Sequence, residues 1–291
     1  MARPPASGRP RPGRRGTGRA AAGAGGIPGA GTRPGVVERG LGGQVVAGRQ
    51  AVRELLAAGR RPAREVWFSD GVDAAPILDE IAALAARAGV PVRRVPRARL
   101  ERLADTEAPQ GVVARAAPLP EADLADLATG RSGAAPPFLV ALDGVTDPHN
   151  LGAVLRSAES AGATGVVLAR HRAAHVTPTV TKTAAGAIEH LPIAVVPGLP
   201  TALAELARRG VWTVGLAGDA KASIFDLTIA DGPICLVLGA EGAGMSRLVR
   251  QRCELVVAVP RIGKTESLNV SAAAAVACFE IARRRGLSGS A

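Results

Sequence analysis

Three segments in the second half of the chain place glycine and polar side chains directly after an apolar run. They span residues 141–164, 236–246 and 259–285. The apolar runs are typical of buried strands, and ligands of open α/β sheets bind outside the carboxyl ends of strands. These loops are therefore the first candidates for a functional site.

The first segment runs from a strand through a polar turn into a helix. Asp147 and Asn150 have the residue types of turns and helix caps, which gives them a purely structural alternative. Arg156 lies about 600° of helical rotation beyond Asn150, so the two need not share a face. A long arginine side chain that reaches over the helix start could still contact the same phosphate group of a ligand as Asn150 does. The alternative is an arginine on a solvated helix face.

The second segment contains Gly239, Gly242 and Gly244, with Glu241 between them. Glycines at such a turn let the backbone approach a ligand closely. The spacing G-x-x-G-x-G after a late strand is not the dinucleotide fingerprint, which is G-x-G-x-x-G after a first strand. A plain strand-to-helix turn is the alternative interpretation.

The third segment carries a Gly-Lys-Thr run at residues 263–265 that resembles the end of a phosphate loop. The glycine required five positions earlier is Ala258, so that interpretation fails. Ser267 is predicted to be the N-cap of the final helix, with the amide of Asn269 inside its first turn. The alanines at 272–275 leave almost no side-chain bulk, which predicts close packing against another helix or backbone.

Cysteine, histidine and serine patterns do not support other chemistries. Three scattered cysteines without C-x-x-C spacing argue against a disulfide framework or zinc site, and Cys278 is predicted to lie in the core. His171 and His175 form an H-x-x-x-H pair with no further ligand nearby, and no G-x-S-x-G sequence is present. We expect no metal site.

The chain divides by composition into four parts. Residues 1–42 lack the large apolar side chains that ordering requires and are predicted to form a disordered basic arm. Short apolar runs and amphipathic helices over 43–118 predict a small βαβαβ-like domain, and the mixed composition of 119–136 predicts a linker. From 137 to 291, short apolar strands alternate with helices, which predicts a parallel sheet covered on both faces.

The net charge of +11 favours an anionic polymer as partner, but it is unevenly distributed. Eight arginines and one acidic residue give the arm a charge of +7, which leaves +4 for the rest. The arm is either a solvated tail or a weak RNA-binding segment.

Only two Trp, four Phe and no Tyr are present, so base-stacking platforms are not expected. Without a signal peptide or a run of about 20 apolar residues, a cytoplasmic protein is expected.

Together and in this order, the three segments resemble the motifs of the SpoU family of RNA 2′-O-methyltransferases. The matching residues are Asp147, Pro148, Asn150, Gly152 and Arg156 in the first motif, Gly239, Ala240, Glu241, Gly242 and Gly244 in the second, and Glu266, Ser267, Leu268, Asn269, Val270 and Ser271 in the third. Residues 45–115 resemble the family's small substrate-binding domain, although Pro109 stands where many relatives have His.

The resemblance implies an α/β protein with a trefoil-knotted, parallel-sheet SPOUT domain at the C-terminal end and a smaller L30e-like domain before it. It implies S-adenosylmethionine as the methyl donor. The residues implied to lie at this cofactor are Gly239, Val259, Ile262, Gly263 and Leu268. Arg156 would bind the phosphate beside the target ribose and orient or help deprotonate the 2′-hydroxyl, although a guanidinium is a poor base at neutral pH. The residues implied to fix Arg156 and the ribose are Asn150, Glu241, Ser267 and Asn269.

The two-domain arrangement resembles enzymes that methylate a guanosine of 23S ribosomal RNA, so this RNA is the expected partner. Alternatives are a tRNA 2′-O-methyltransferase, a ribosomal RNA methylase that confers antibiotic resistance, and an inactive RNA-binding homologue. The intact Asn150, Arg156 and Asn269 count against the inactive homologue, and a nucleotide-dependent dehydrogenase lacks its first-strand fingerprint. The family also implies a homodimer in which both subunits help form each active site.

Overall fold

The structure, a computed structural model, describes residues 41–106, 108–130, 135–170, 175–264 and 267–286. The predicted basic arm therefore lies outside the described residues, except at its end. Leu41 is buried there and Gly42 forms a β-bridge to Val176, so these two residues of the predicted arm belong to the folded part. No helix in the described ranges is long and apolar enough to cross a membrane.

Residues 45–116 form a four-stranded sheet with three helices. In chain order the elements are β1 (Val45–Ala47), α1 (Arg49–Ala58), β2 (Ala63–Ser69), α2 (Pro76–Arg87), β3 (Val92–Val95), α3 (Arg97–Ala104) and β4 (Val112–Ala116). The strand order is β1-β4-β2-β3. The sheet is mixed, because β4 runs antiparallel to both neighbours whereas β2 and β3 are parallel.

The two faces of this sheet are covered by different helices. On one face, Leu55 of α1 and Ile81 of α2 pack in a cluster with Val66 and other strand residues. On the other face, α3 is the covering helix, and its Leu100 packs in a cluster with Trp67. Residues four apart on a helix share a side, so α3 turns Leu100 and the buried Ala104 inward and leaves its charged side chains outside.

The predicted linker contains a short helix, α4 (Leu124–Thr129). It begins at Asp123, whose carboxylate accepts hydrogen bonds from the backbone N–H groups of the first turn. Leu127 and Ala128 are buried in the apolar cluster of the second sheet. The described part of the linker is therefore packed against the larger sheet.

The larger sheet has seven strands. The elements are β5 (Phe138–Asp143), α5 (Pro148–Ser160), β6 (Gly165–Ala169), α6 (Pro178–Thr183), β7 (Ile193–Val196), α7 (Leu199–Arg208), β8 (Trp212–Leu216), β9 (Ala222–Ser223), β10 (Ile234–Gly239), α8 (Arg247–Arg252), β11 (Leu255–Ala258) and α9 (Val270–Arg284). The order is β7-β6-β5-β10-β8-β11-β9, and every pairing is parallel. The predicted parallel α/β sheet is confirmed, whereas the trefoil knot and the L30e-like fold stay predictions.

α9 packs on α5, but of the alanine run at 272–275 only Ala274 is buried, whereas Ala272 is exposed. Ala274 and Ala277 are fully buried, and so is Cys278. Burial raises the pKa of the Cys278 thiol to about 12, so it stays protonated and acts as an apolar core residue.

The end of α9 is held by one arginine. Arg285 donates hydrogen bonds to the carbonyl oxygens of Pro136, Pro137, Ala230 and Gly232 at 2.5–3.2 Å. Its guanidinium carbon also lies 5.4 Å from the centre of the Phe138 ring. The end of α9 is thereby attached to the segments that lead into β5 and β10.

A buried ion pair joins the two sheets. Both oxygens of Glu189, which follows α6, accept hydrogen bonds from Arg61, at 2.9 and 2.6 Å. Arg61 also donates to the carbonyl oxygens of Gly43 and Ala117, at 2.7 and 2.5 Å. Both side chains are almost completely buried, at 2% and 1% exposed. Within the described residues, each charge is thus balanced by its partner, and Arg60, which donates to the backbone carbonyl oxygen of Glu189 at 3.3 Å, lies next to the pair.

Candidate active site

A cavity of about 470 Å³ opens at the carboxyl ends of β8, β10 and β11. Its wall includes Leu216, Gly239, Val259 and Leu268, with Glu241 among the polar residues at its edge. The volume lies within the roughly 300–1,000 Å³ that is typical of small-molecule sites. Strand ends of a parallel sheet are the expected place for such a site.

Glycines shape the turn after β10. Ala240 and Gly244 exchange two backbone hydrogen bonds, at 3.0 and 2.9 Å, which closes a tight loop. Gly242 and Gly244 have φ angles of +74° and +67°, which other residues rarely adopt. A Cβ atom on Gly239 would lie 2.1 Å from the carbonyl carbon of Gly244, so this position accepts no side chain. The turn therefore presents bare backbone to the cavity.

The three candidate segments meet in a chain of hydrogen bonds. The side-chain amide of Asn150 donates to the carboxylate of Glu241 at 3.0 Å. The side-chain oxygen of Asn150 accepts from the amide of Asn269 at 3.1 Å. The side-chain oxygen of Asn269 in turn accepts from the backbone N–H of Ser271 at 2.8 Å. Each amide thus has one donor and one acceptor in use, which fixes its orientation.

The chain contains only two asparagines, and they are these two hydrogen-bonded residues. Asn150 is 8% exposed, so its loss would leave polar groups of its two neighbours without partners in a confined place. We name the set Glu241, Asn150 and Asn269 the amide chain. It connects the turn after β10, the start of α5 and the start of α9.

The N-cap of α9 is Asn269, and the prediction that Ser267 caps this helix is wrong. The helix begins at Val270, and the Asn269 side chain accepts from the N–H of Ser271. Asparagine is as good an N-cap as serine, so sequence preference did not separate the two positions. Ser267 instead lines the cavity two residues earlier.

Arg156 does not line this cavity. It faces a second cavity of about 730 Å³, between the two sheets, which is also lined by Gly48, Gln110, His149 and Lys182. We name this second cavity the cleft. Arg156 makes no hydrogen bond or ion pair with the described part of the chain, so its charge is available to an anionic ligand.

Of the five residues predicted to lie at the cofactor, three line the cavity and two do not. Gly239, Val259 and Leu268 line the cavity, as the resemblance implies. Ile262 is fully exposed, and a Cβ atom built on Gly263 would have no other atom within 4 Å. Neither residue lines the cavity. Glu266 of the third motif and His171 of the histidine pair lie outside the described residues.

One loop of the cavity is absent from the sequence-based candidates. Gly218 and Asp219, which follow β8, line the wall, and Arg261 donates to the carbonyl oxygen of Gly218 at 3.1 Å. Asp143, at the end of β5 in the first candidate segment, does not line the cavity, but its carboxylate accepts from the N–H of Ser246 at 2.6 Å and so fixes the end of the glycine turn. Gly218 and Asp219 follow the end of a parallel strand, where ligands of such sheets bind, and this position is the signal in the sequence that points to them.

Breaking the amide chain is expected to lower the methyl-transfer activity that the sequence resemblance implies. For Asn150→Ala we expect kcat/KM to fall about 10- to 100-fold, because unpaired groups in a confined site cost about 1–3 kcal/mol. Asn269→Asp is the informative partner, since it keeps the cap to Ser271 but loses the donor to Asn150. Steady-state assays with both variants test this, and full activity in Asn150→Ala would show that the amide chain has no role.

Comparisons with known proteins agree with this geometry. Residues 137–279 match the model of the SpoU rRNA Methylase family, and residues 45–122 match that of RNA 2′-O ribose methyltransferase substrate binding. The 23S rRNA (guanosine-2′-O-)-methyltransferase RlmB of Pseudomonas putida is 41% identical over 82% of this chain and 96% of its own. RlmB of Ralstonia nicotianae is 42% identical over 84% of this chain and 97% of its own.

A solved structure shows the same arrangement. The SpoU methyltransferase AviRb from Streptomyces viridochromogenes, in complex with the cofactor AdoMet, is 26% identical. It matches with a TM-score of 0.69 over 84% of this chain and 91% of its own. A parallel α/β domain with a glycine-lined cavity, joined to a substrate-binding domain for RNA, defines an RNA methyltransferase. The chain belongs to the SpoU rRNA methylase family.

Proposed function

We propose that this protein transfers a methyl group from S-adenosylmethionine to the ribose 2′-hydroxyl of a guanosine in 23S ribosomal RNA. The observation that carries the proposal is the amide chain, in which all three motif segments meet beside the glycine-lined cavity. The two RlmB relatives, whose names give this reaction, support the choice of RNA and nucleotide. With this substrate, we expect the protein to act in the cytoplasm.

The cavity suits the proposed methyl donor. Leu216, Val259 and Leu268 provide an apolar wall for an adenine ring, and the glycines of the turn after β10 leave room for the ring to approach the backbone. When bound, S-adenosylmethionine supplies a methyl group that its sulfonium already activates. The protein therefore has to bind, align and help remove one proton from the 2′-hydroxyl.

The role proposed for Arg156 follows from its position. Its guanidinium, which has no partner among the described residues, faces the cleft beside His149 and Lys182, where a phosphate group would be bound by opposite charge. Held by that phosphate, the ribose would be oriented for attack of its oxygen on the methyl carbon. The methyl group would come from S-adenosylmethionine held in the cavity, and Arg156 would orient the 2′-hydroxyl and help its proton pass to solvent.

A homodimer accounts for an apolar stripe on α9. Ala272, Val276 and Phe279 lie on the outer side of the helix, and Val276 and Phe279 are 38% and 43% exposed. Leu268, which lines the cavity, is 40% exposed just before the stripe. Covering this stripe with a second copy would bring that copy's residues to the cavity, including an Arg156 that the cavity's own chain does not supply.

A charge on the stripe is expected to prevent this dimer. For Val276→Glu we expect the molar mass in solution to halve, because a carboxylate in an apolar interface loses its hydration without a partner. Val92→Glu is a matched control, since Val92 on β3 is 42% exposed and Val276 is 38% exposed. Light scattering after gel filtration gives the mass. A dimeric Val276→Glu variant would contradict this interface.

The proposed activity is tested with labelled S-adenosylmethionine and separated 23S, 16S and transfer RNA from cells that lack the enzyme. We expect label in the 23S pool, at one guanosine ribose. Label confined to transfer RNA would favour the tRNA alternative. No label in any pool would contradict the proposed function.

A further inference from the structure

The helices of the smaller sheet carry different charges. On one face, α1 and α2 together hold three arginines and three acidic residues, a net charge of zero. On the other face, α3 holds three arginines and one glutamate, a net charge of +2. Arg115 of β4 adds to this charge, because it follows Val113, which α3 covers, by two residues and so lies on the same face.

Three arginines on this side have no partner in the described part of the chain. Arg97 is paired with Glu101 at 2.9 Å. Arg99, Arg102 and Arg115 are exposed and make no hydrogen bond or ion pair with described residues. Arg99 and Arg102 are three residues apart and therefore neighbours on the helix surface. We name Arg99, Arg102 and Arg115 the arginine face.

The arginine face lies along α3, whose C-terminal end is next to the cleft. α3 starts directly after β3, the strand farthest from β1 in the sheet, and its buried side packs in a cluster with Ala47 of β1. The next residues include Thr106, whose hydroxyl lies 3.5 Å from that of Thr179 on α6. Thr106 and Thr179 both line the cleft that Arg156 faces. A ligand lying along α3 would thus arrive at Arg156.

We infer that the arginine face binds the phosphate backbone of the substrate RNA and guides the strand towards the cleft. This rests on the proposed function, in which the substrate is RNA. Guanidinium groups at neighbouring positions match a row of phosphates. Trp67, the aromatic residue of the apolar cluster on this face, is only 8% exposed and offers no stacking surface. Recognition here is therefore of the backbone rather than of bases.

The test compares two triple variants of the full chain. One is Arg99→Ala, Arg102→Ala and Arg115→Ala, and the control is Arg87→Ala, Arg94→Ala and Arg208→Ala, exposed arginines away from this face. The probes are a labelled stem-loop RNA of unrelated sequence and 23S ribosomal RNA, titrated by anisotropy over a range of salt. For the first variant we expect affinity to fall at least tenfold and the log-log salt slope to shrink by about 2–3, since each lost phosphate contact removes about 0.7–0.9.

Binding of S-adenosylmethionine and the melting temperature should match the wild type in both variants. Arg99→Lys, Arg102→Lys and Arg115→Lys should keep most of the affinity, because charge is the main requirement. Equal losses in both alanine variants would attribute binding to net charge alone and overturn the inference, as would wild-type affinity in the first variant. Wild-type protein that binds RNA through this face but transfers no methyl group would contradict the proposed function instead.

Discussion

Replacing Arg156 with alanine is expected to lower kcat/KM for methyl transfer by about 10²- to 10³-fold while S-adenosylmethionine binds as before. The size follows from removing one positioned group that acts on the reacting oxygen or its phosphate. Cofactor affinity should be unchanged, because the ligand proposed for Arg156 is the phosphate beside the target ribose and not the cofactor. Arg156→Lys should recover only part of the activity, since an ammonium lacks the planar pair of donors.

Single-turnover assays and calorimetric titration of the cofactor measure the two effects separately. Arg208→Ala, an exposed arginine on α7, is the control for loss of charge. Mixing two inactive variants tests the proposed dimer as well. Arg156→Ala mixed with Asn269→Ala should regain activity if one copy supplies Arg156 to the cavity of the other. Full activity of Arg156→Ala alone would end the proposed role for this residue.

Neutralising Glu189 is expected to lower the free energy of unfolding by about 3–5 kcal/mol. Glu189→Gln keeps the shape of the side chain but leaves the buried guanidinium of Arg61 without its counter-charge. Glu205→Gln is the control, because Glu205 and Arg209 form a partly exposed pair four residues apart on α7. Such a pair contributes only about 0.3–0.5 kcal/mol. Urea unfolding measures both.

A double replacement separates stability from positioning. Arg61→Met with Glu189→Leu removes both charges and should recover much of the lost stability, because no unpaired charge remains. The pair also joins the smaller domain to the segment after α6, and helices and loops on both sides of it line the cleft. We therefore expect the double variant to methylate RNA more slowly than its stability would suggest. A double variant with the activity and the stability of the wild type would show that the ion pair does not position the two sides of the cleft.

Local patterns in the sequence were sufficient to predict most elements of both sheets. Strands such as β5 and β10 are short apolar runs, and Gly59 ends α1 with a left-handed conformation, as a glycine after a helix suggests. Local patterns could not predict the mixed parallel and antiparallel pairing of the smaller sheet, because the relative direction of strands depends on contacts between residues distant in the sequence. The same limit applies to Leu127 and Ala128, whose burial in α4 depends on the larger sheet.

The candidate site was predicted in its parts but not in its connections. The motif residues pointed to Asn150, Glu241 and Asn269, yet their hydrogen bonds join positions about 90 and 120 residues apart. Rotation along α5 indicated that Arg156 need not share a face with Asn150, and the structure places Arg156 at the cleft. The Ser267 error arose because two good capping residues lie two positions apart, and only tertiary contacts choose between them.

The placement of α9 affects how the protein is made in the cell. This helix provides Val270 and Ala273 to the wall of the cavity, and Arg285 attaches its end to segments that precede β5 and β10. A ribosome releases the chain from its N-terminal end, so the smaller sheet can form while translation continues. The cavity, in contrast, cannot be completed until residue 285 has left the ribosome. Enzyme that is still being synthesised should therefore be unable to hold its methyl donor.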